Sequence, residues 1–284
     1  MLYNLNNDGN QASKIKFVEL SLPDKEVVMD AIITAGGIPK PGQPLYQYTR
    51  GGPKALLKIN GKPLVQYVLD AIGEAQHIER VVLVSLDESS GVTCKKPLAF
   101  VPHQGGMLDN IRAGTEMALK LNPAADYVLI SVSDTPTYTP EIIDWAIEAA
   151  LETSHDAYYY LITRTIFEKR YPDSNREYVW MKDVEVSGST LGILATKLMT
   201  SDKEFWGKLI AGRKSVWKQA LNFGVGNLIK ALLHRLSIED ALAVFRERMG
   251  VSGRAIFSPY AELAFDVDED HEFEYLRKFL AAEE

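Results

Sequence analysis

The feature that most constrains this chain is a series of short apolar runs separated by stretches of helical periodicity. Asp30-Ala-Ile-Ile-Thr34, Arg80-Val-Val-Leu-Val-Ser85 and Tyr127-Val-Leu-Ile-Ser-Val132 show no regular in–out alternation, the pattern of strands buried on both faces. Leu98–Val101 and the aromatic Ala157–Ile162 extend the series. Between them, Pro63 opens a helix with Leu64, Val68, Ile72 and Ala75 at 3–4 spacing, and a second helix is expected from about Asp109 to Leu121. Thr139-Pro140-Glu141 starts a third, running to about Leu151; a capping hydroxyl, a proline at the first helical position and an acid in the first turn coincide there. Strands alternating with helices predict an α/β chain with a Rossmann-like, doubly wound, mostly parallel sheet.

The pattern changes after Thr163. From there to about Arg254 the spacing reads as mainly helical, and Ser237-Ile-Glu-Asp240 has the outline of a capping box with Gly250 closing that helix. Residues 254–268 return to strand character, and Glu272–Leu280 reads as a terminal helix with Phe273, Leu276 and Leu280 on one face. Residues 1–28 are rich in Asn and turn-forming residues at their start. The expected organisation is an extension over 1–28, for which Met29 is a candidate original start, and one domain over 29–284 with a helical lobe inserted at about 163–253.

A chain of 284 residues with 46% hydrophobic content buries a core of ordinary size. Its net charge of −7 argues against a nucleic-acid backbone or an anionic membrane as main partner, but leaves room for a nucleotide met by a few local cations. Cys94 is the only cysteine, so an internal disulfide and a cysteine metal cluster are both excluded. No apolar run approaches the roughly 18 residues of a membrane span, and the N-terminus lacks the basic-then-apolar pattern of a secretory signal. A cytoplasmic protein is expected.

Four segments carry candidate chemistry. After the first run, Ala35-Gly36-Gly37 leads through a Gly/Pro-rich loop to Lys54, Gly61, Lys62 and Pro63. A loop in this place lies at the carboxyl edge of the sheet, where glycines let backbone N–H groups approach a phosphate and lysine adds a point charge. It is neither a Walker A loop nor a G-x-G-x-x-G fingerprint, and a plain Gly/Pro connection is the alternative. Gln104-Gly105-Gly106 opens a helix and presents either free N–H groups or simply a flexible start. Ser131-Val-Ser-Asp134-Thr-Pro136 ends an apolar strand with an acid, a hard ligand for Mg²⁺ or a turn-starting residue. Phe265-Asp266-Val-Asp268-Glu-Asp270 precedes the last helix; it fails the EF-hand pattern, since His271 holds the glycine position, and otherwise reads as acids at a helix N-terminus. Val184–Thr190 is a weaker candidate. His103, His155 and His234 lack metal-ligand spacing and read as structural or surface residues.

The first of these segments resembles the signature of the MobA-like NTP transferases and sugar-phosphate nucleotidyltransferases: Ala-Gly-Gly, a glycine-rich loop, then Pro53-Lys54-x-Leu-Leu-x-Ile-x-Gly61-Lys62-Pro63. The resemblance covers roughly residues 29–160 and 254–280. It implies a Mg²⁺-dependent transfer of NMP from an NTP to a phosphorylated acceptor, with Ala35, Gly36, Gly37 and Lys54 around the triphosphate. The family carries Gly-x-Arg shortly after Ala-Gly-Gly; here Pro39-Lys40-Pro41-Gly42 stands there, so Lys40 or Arg50 would supply the missing charge. Gln104, Gly105 and Gly106 would lie beside the base. Asp134 matches the strand-Asp-x-Pro metal ligand and Asp268 a second ligand ahead of the last helix, with Asp266 as its neighbour. Gly188 and Ser189 would face the acceptor; Lys182, Arg213, Lys214 and Lys218 are cations that either hold its phosphate or sit on solvated helix faces. A homo-oligomer is compatible with this reading. Two rivals remain at this level: a nucleotide-sugar-dependent glycosyltransferase using Asp266-Val-Asp268, and a non-catalytic nucleotide-binding protein.

Overall fold

A computed structural model describes residues 28–200 and 235–283. In chain order the elements are β1 (Met29–Thr34), α1 (Tyr46–Thr49), β2 (Lys58–Ile59), β3 (Lys62–Pro63), α2 (Leu64–Glu74), β4 (Ile78–Val84), β5 (Leu98–Val101), α3 (Met107–Leu121), β6 (Tyr127–Val132) and α4 (Pro140–Leu151). They continue with β7 (Ala157–Thr163), α5 (Arg164–Arg170), β8 (Val179–Trp180), β9 (Glu185–Ala195) and α6 (Thr196–Thr200). Beyond position 234 lie α7 (Ile238–Met249), β10 (Gly253–Phe257) and α8 (Asp270–Glu283).

One eight-stranded sheet organises the described chain in the order β10-β7-β9-β6-β1-β4-β5, with β8 added beside β9. β1 is parallel to both β4 and β6, β4 to β5, and β7 to β10, whereas β9 runs antiparallel to β6 and β7. The mostly parallel α/β sheet inferred from the apolar runs is therefore present. β1 shows why its sequence has no alternation. Ala31 and Ile33 join the core shared with α2 and α4, while Ile32 joins Val82, Val84, Val128 and Ala118 on the opposite face. Each large aliphatic side chain buried this way contributes about 1.5–3 kcal/mol. α3 comes close to that second face because position 114 is glycine: a Cβ there would stand 2.4 Å from Cγ2 of Ile32 and 3.1 Å from Cγ2 of Val84. Among the described residues no helix is long and apolar enough to cross a membrane.

Local signals act as their chemistry dictates at two helix starts. The Thr139 side chain accepts from the Ile142 N–H, and Ser237 with Asp240 closes a complete capping box while Gly250 ends α7 in a left-handed turn. Pro63 does not sit at the first helical position as expected. It pairs with Lys58 in a short hairpin and stands just before α2.

The segment over 163–253, expected to be mainly helical, holds the helices α5, α6 and α7 in its described part and two strands that were not expected. These are β8 and the eleven-residue β9, the latter inserted between β6 and β7. β9 escapes the hydrophobic pattern because two of its inward positions are Ser187 and Ser189, both buried. The expected strand over 254–268 is also shorter than read. β10 ends at Phe257, a short 3₁₀ turn spans Ala261–Ala264, and Asp268 lies in irregular chain ahead of α8, not at a strand end. Arg213, Lys214, Lys218 and His234 lie outside the described residues, as does the expected extension apart from Val28.

Candidate active site

The carboxyl ends of β1 and β6 point to one side of the sheet, because the two strands are parallel and in register from Asp30 and Val128 to Thr34 and Val132. Beyond the end of β1 the chain passes through buried Ala35 to Gly36 and the exposed Gly37. The long loop after Gly37 folds back on itself: the Lys54 N–H donates to Gly37 O at 2.8 Å. That bond places Lys54 over the end of β1, from which its ammonium reaches two acids distant in sequence. It pairs with Asp134 and, at 2.5 Å, with Asp268 Oδ1.

The two acids differ in setting. Asp134 lies just past β6 within a run of buried residues and is itself 5% exposed, whereas the Asp268 side chain is 61% exposed. The loops that carry them are tied together, since Val267 N–H donates to Asp134 O at 3.0 Å. Beneath them the Thr190 hydroxyl of β9 pairs with Thr135 at 2.9 Å and Tyr138 at 2.7 Å, and donates to Leu263 O at 3.1 Å. Burial pushes the Asp134 carboxyl up from its ordinary value, and the Lys54 ammonium opposes the rise. Burial alone would favour a neutral Lys54, but Asp134 and Asp268 outweigh it and keep the ammonium charged. Asp268 is held below the usual carboxylate range, against burial, chiefly by Lys54. One oxygen of the pair is left over: Asp134 Oδ1 is buried with no hydrogen-bond partner.

Residue by residue, the metal- and nucleotide-side candidates fall into three groups. Lys54, Asp134 and Asp268 are brought together, with Asp266 beside them; burial pushes the Asp266 carboxyl up to about 6 against the pull of Arg176, and the neighbouring Asp134 and Asp268 add to the rise. Gly36 meets the second segment. His103 Nδ1 and Asn110 Nδ2 stand 2.8 and 3.0 Å from where a Cβ on Gly36 would be, and Gln104 N–H donates to Asn110 Oδ1 at 2.8 Å. Gly105 turns left-handed at φ 94, and Gly106 caps α3 with no side-chain acceptor. Lys40 and Arg50 form the third group: both are exposed, and neither side chain forms an ion pair with a described residue.

The acceptor-side candidates come out differently. The place above Gly188 is taken by Tyr159, whose hydroxyl would lie 2.0 Å from a Cβ at that position. Ser189 is buried and spends its hydroxyl inside the sheet, accepting from Tyr160 N–H at 3.2 Å and donating to Leu191 O at 2.5 Å. Its proton is thus committed within the sheet. Lys182 is exposed. Two residues near the site carried no signal in the sequence. His103 pairs with Ser85 Oγ at 2.9 Å as it stands against Gly36, and Arg176 bonds to Asp266 at 2.8 Å; isolated polar residues in loops have no periodicity or motif to reveal them.

Known proteins share this outline. The family model for the MobA-like NTP transferase domain matches residues 31–172, half of the chain. A probable molybdenum cofactor guanylyltransferase of Thermococcus sibiricus is 29% identical over 106 residues, 37% of this chain and 51% of that protein. Its counterpart in Thermococcus gammatolerans is 30% identical over 97 residues, covering 34% and 48%. The chain thus spans about half the length of the curated relatives it matches. A hypothetical transferase structure from Thermus thermophilus superposes with a TM-score of 0.74 at 26% identity, covering 87% of this chain and all of that one. The 4-diphosphocytidyl-2C-methyl-D-erythritol synthase of Anaerococcus prevotii shares the fold, with a TM-score of 0.57 at 13% identity over 90% and 97% of the two chains.

Proposed function

The chain belongs to the MobA-like NTP transferase family, and from that premise we propose that it transfers a nucleoside monophosphate from an NTP to a phosphorylated small-molecule acceptor. A phosphate oxygen of the acceptor attacks the α-phosphorus; the bond from that phosphorus to the bridging oxygen of the β-phosphate breaks, and pyrophosphate leaves. The observation that carries this reading is the convergence of Lys54, Asp134 and Asp268 at the carboxyl edge of the sheet. Guanine as the base and a molybdenum cofactor precursor as the acceptor are the first pair to test, because the relatives named above are probable molybdenum cofactor guanylyltransferases.

Mg²⁺ suits the residues present. Asp134 brings a buried carboxylate oxygen without a partner, and Asp268 a second hard oxygen donor. Mg²⁺ commonly takes one or two protein carboxylates and completes its shell with waters and nucleotide phosphate. Asp134 and Asp268 would hold it, and when bound it would neutralise charge developing on the transferring phosphate. The chain's own groups do the rest. Lys54 is kept charged and close enough to share the phosphate charge, and the 35–37 turn offers backbone to the triphosphate. The loop at 103–106 closes the other side. Catalysis of this kind is positioning with electrostatic stabilisation and needs no protein nucleophile.

Pyrophosphate release from each NTP with Mg²⁺, with and without molybdopterin or sugar 1-phosphates, tests the reading. Acceptor-dependent pyrophosphate is expected with one NTP. Free nucleoside diphosphate released from a nucleotide-sugar would support the glycosyltransferase alternative instead, and NTP binding without turnover would support a binding protein.

A further inference from the structure

Arg176 lies outside every motif of the sequence, in the stretch between α5 and β8 where Asp173 and Asn175 take left-handed backbone at φ 60 and 57. Its side chain is 16% exposed and donates in three directions. Nη2 reaches Asp266 Oδ1 at 2.8 Å, Nη1 reaches Glu272 Oε1 at 3.0 Å, and Nε reaches Ser187 Oγ of β9 at 3.3 Å. Glu272, 5% exposed, turns its other oxygen to the chain: Oε2 accepts from the backbone N–H of Asp268 at 2.8 Å and of Glu269 at 2.9 Å. The route from the guanidinium to the backbone of Asp268 is therefore one side chain long.

We propose that Arg176 is a positioning residue for the acid pair, fixing through Glu272 and Asp266 the backbone on which Asp268 is carried. This rests on reading Asp268 as a metal ligand. Four carboxylates, from Asp134, Asp266, Asp268 and Glu272, crowd this corner and face two cations, Lys54 and Arg176. Without Arg176, Asp266 and Glu272 lose their counter-charge at once. Glu272 is then free to leave the two amides it caps, and the backbone at 268 and 269 loses those ties, while Val267 stays bonded to Asp134 O. A planar fork can serve two carboxylates and a hydroxyl together; a lysine, as a point charge, cannot. Partners of this outer kind commonly change metal affinity by 10- to 100-fold when removed.

The full chain with Arg176→Ala and Arg176→Lys provides the test. Amide exchange over 263–276 is measured against β1 and β4, Mn²⁺ affinity is read by electron paramagnetic resonance, and pyrophosphate release is tracked against NTP concentration. In Arg176→Ala, exchange at 268 and 269 is expected to quicken about tenfold or more while β1 and β4 hold. Mn²⁺ affinity should fall about tenfold, and kcat should fall with little change in the KM for NTP. Arg176→Lys should recover part of each. Wild-type exchange at 268 and 269 together with wild-type Mn²⁺ affinity overturns the proposal. If Arg176→Ala does not fold, Glu272→Gln is used: faster exchange confined to 268 and 269 supports the proposal, and exchange that rises only with global unfolding overturns it. A wild-type chain that binds no Mn²⁺ sinks the metal reading, and the exchange measurement then decides the role of Arg176 alone.

Discussion

Lys54 carries its charge between two carboxylates of unequal burial, and that asymmetry decides what each substitution does. The Asp134 side chain is 7% exposed and depends on the ammonium for compensation; Asp268 is 61% exposed and keeps water as an alternative. Removing one partner of a buried pair costs about 3–5 kcal/mol, and less where the stranded acid can take up a proton. Lys54→Met is thus expected to lose about 2–3 kcal/mol at pH 7, and Mg²⁺ should raise its melting temperature more than that of the wild type. An unchanged melting temperature would show that Asp134 is not charged beside Lys54. The acids themselves are tested by Asp134→Asn and Asp268→Asn, which keep shape and remove charge. Each is expected to lose on the order of 10²-fold in kcat, and the double variant should be little worse than the worse single. Additive losses in steady-state kinetics would mean that the two do not act as a unit.

Among the elements, α3 and the β7–β10 pair give tests whose signs are set by packing and charge. A glycine inside a helix ordinarily gains up to about 1 kcal/mol when replaced by alanine. At Gly114 the added methyl would meet Ile32 of β1 at 2.4 Å, and overpacking of that kind costs about 1–3 kcal/mol. Gly114→Ala is therefore expected to destabilise, and a rise in urea midpoint would contradict the close approach of α3 to β1. At the start of β7, Asp156 clips β10 in place: its carboxylate accepts from Ser252 N–H at 2.8 Å and Ser252 Oγ at 2.6 Å, and pairs with Lys197 at 2.5 Å. Burial works to raise this carboxyl, but the bonds from Lys197 and Ser252 outweigh it and hold it at about 2. The folded value lies below the ordinary 3.8, so the stabilisation is complete above that pH and disappears as pH falls towards 2. Asp156→Asn should cost about 1 kcal/mol at pH 7, the exposed Lys197 reducing the full linkage value. The gap to wild type should close in melts near pH 2, and a gap that persists there would place its origin outside this charge.

For the molecule as a whole, β1 already has β4 on one side and β6 on the other, so its own edges offer no room for another strand. A chain beginning at Met29 is accordingly expected to melt within a few degrees of the full chain; a larger loss would show that residues 1–28 add to the fold. The α/β class and the parallel strands were legible in the sequence because burial on both faces forces unbroken apolar runs such as Ala31–Ile33 and Val81–Val84. Asp134 stood out just past an apolar run, whereas Lys54 in the Gly/Pro-rich loop and Asp268 in the acidic segment ahead of the last helix stood out through the family resemblance. Local chemistry determined that much, including the caps at Thr139 and Ser237. What the tertiary structure alone decided is the pairing. β9 could not be seen because its buried Ser187 and Ser189 satisfy their hydroxyls through Arg176 and the β7–β9 pairing. The resemblance already assigned Asp134 and Asp268 to one metal, but that Lys54 pairs directly with both, and that Arg176 braces the second, could not be seen, because such contacts depend on strand order and loop closure. Those are settled by long-range burial, which leaves no periodicity in the residues it brings together.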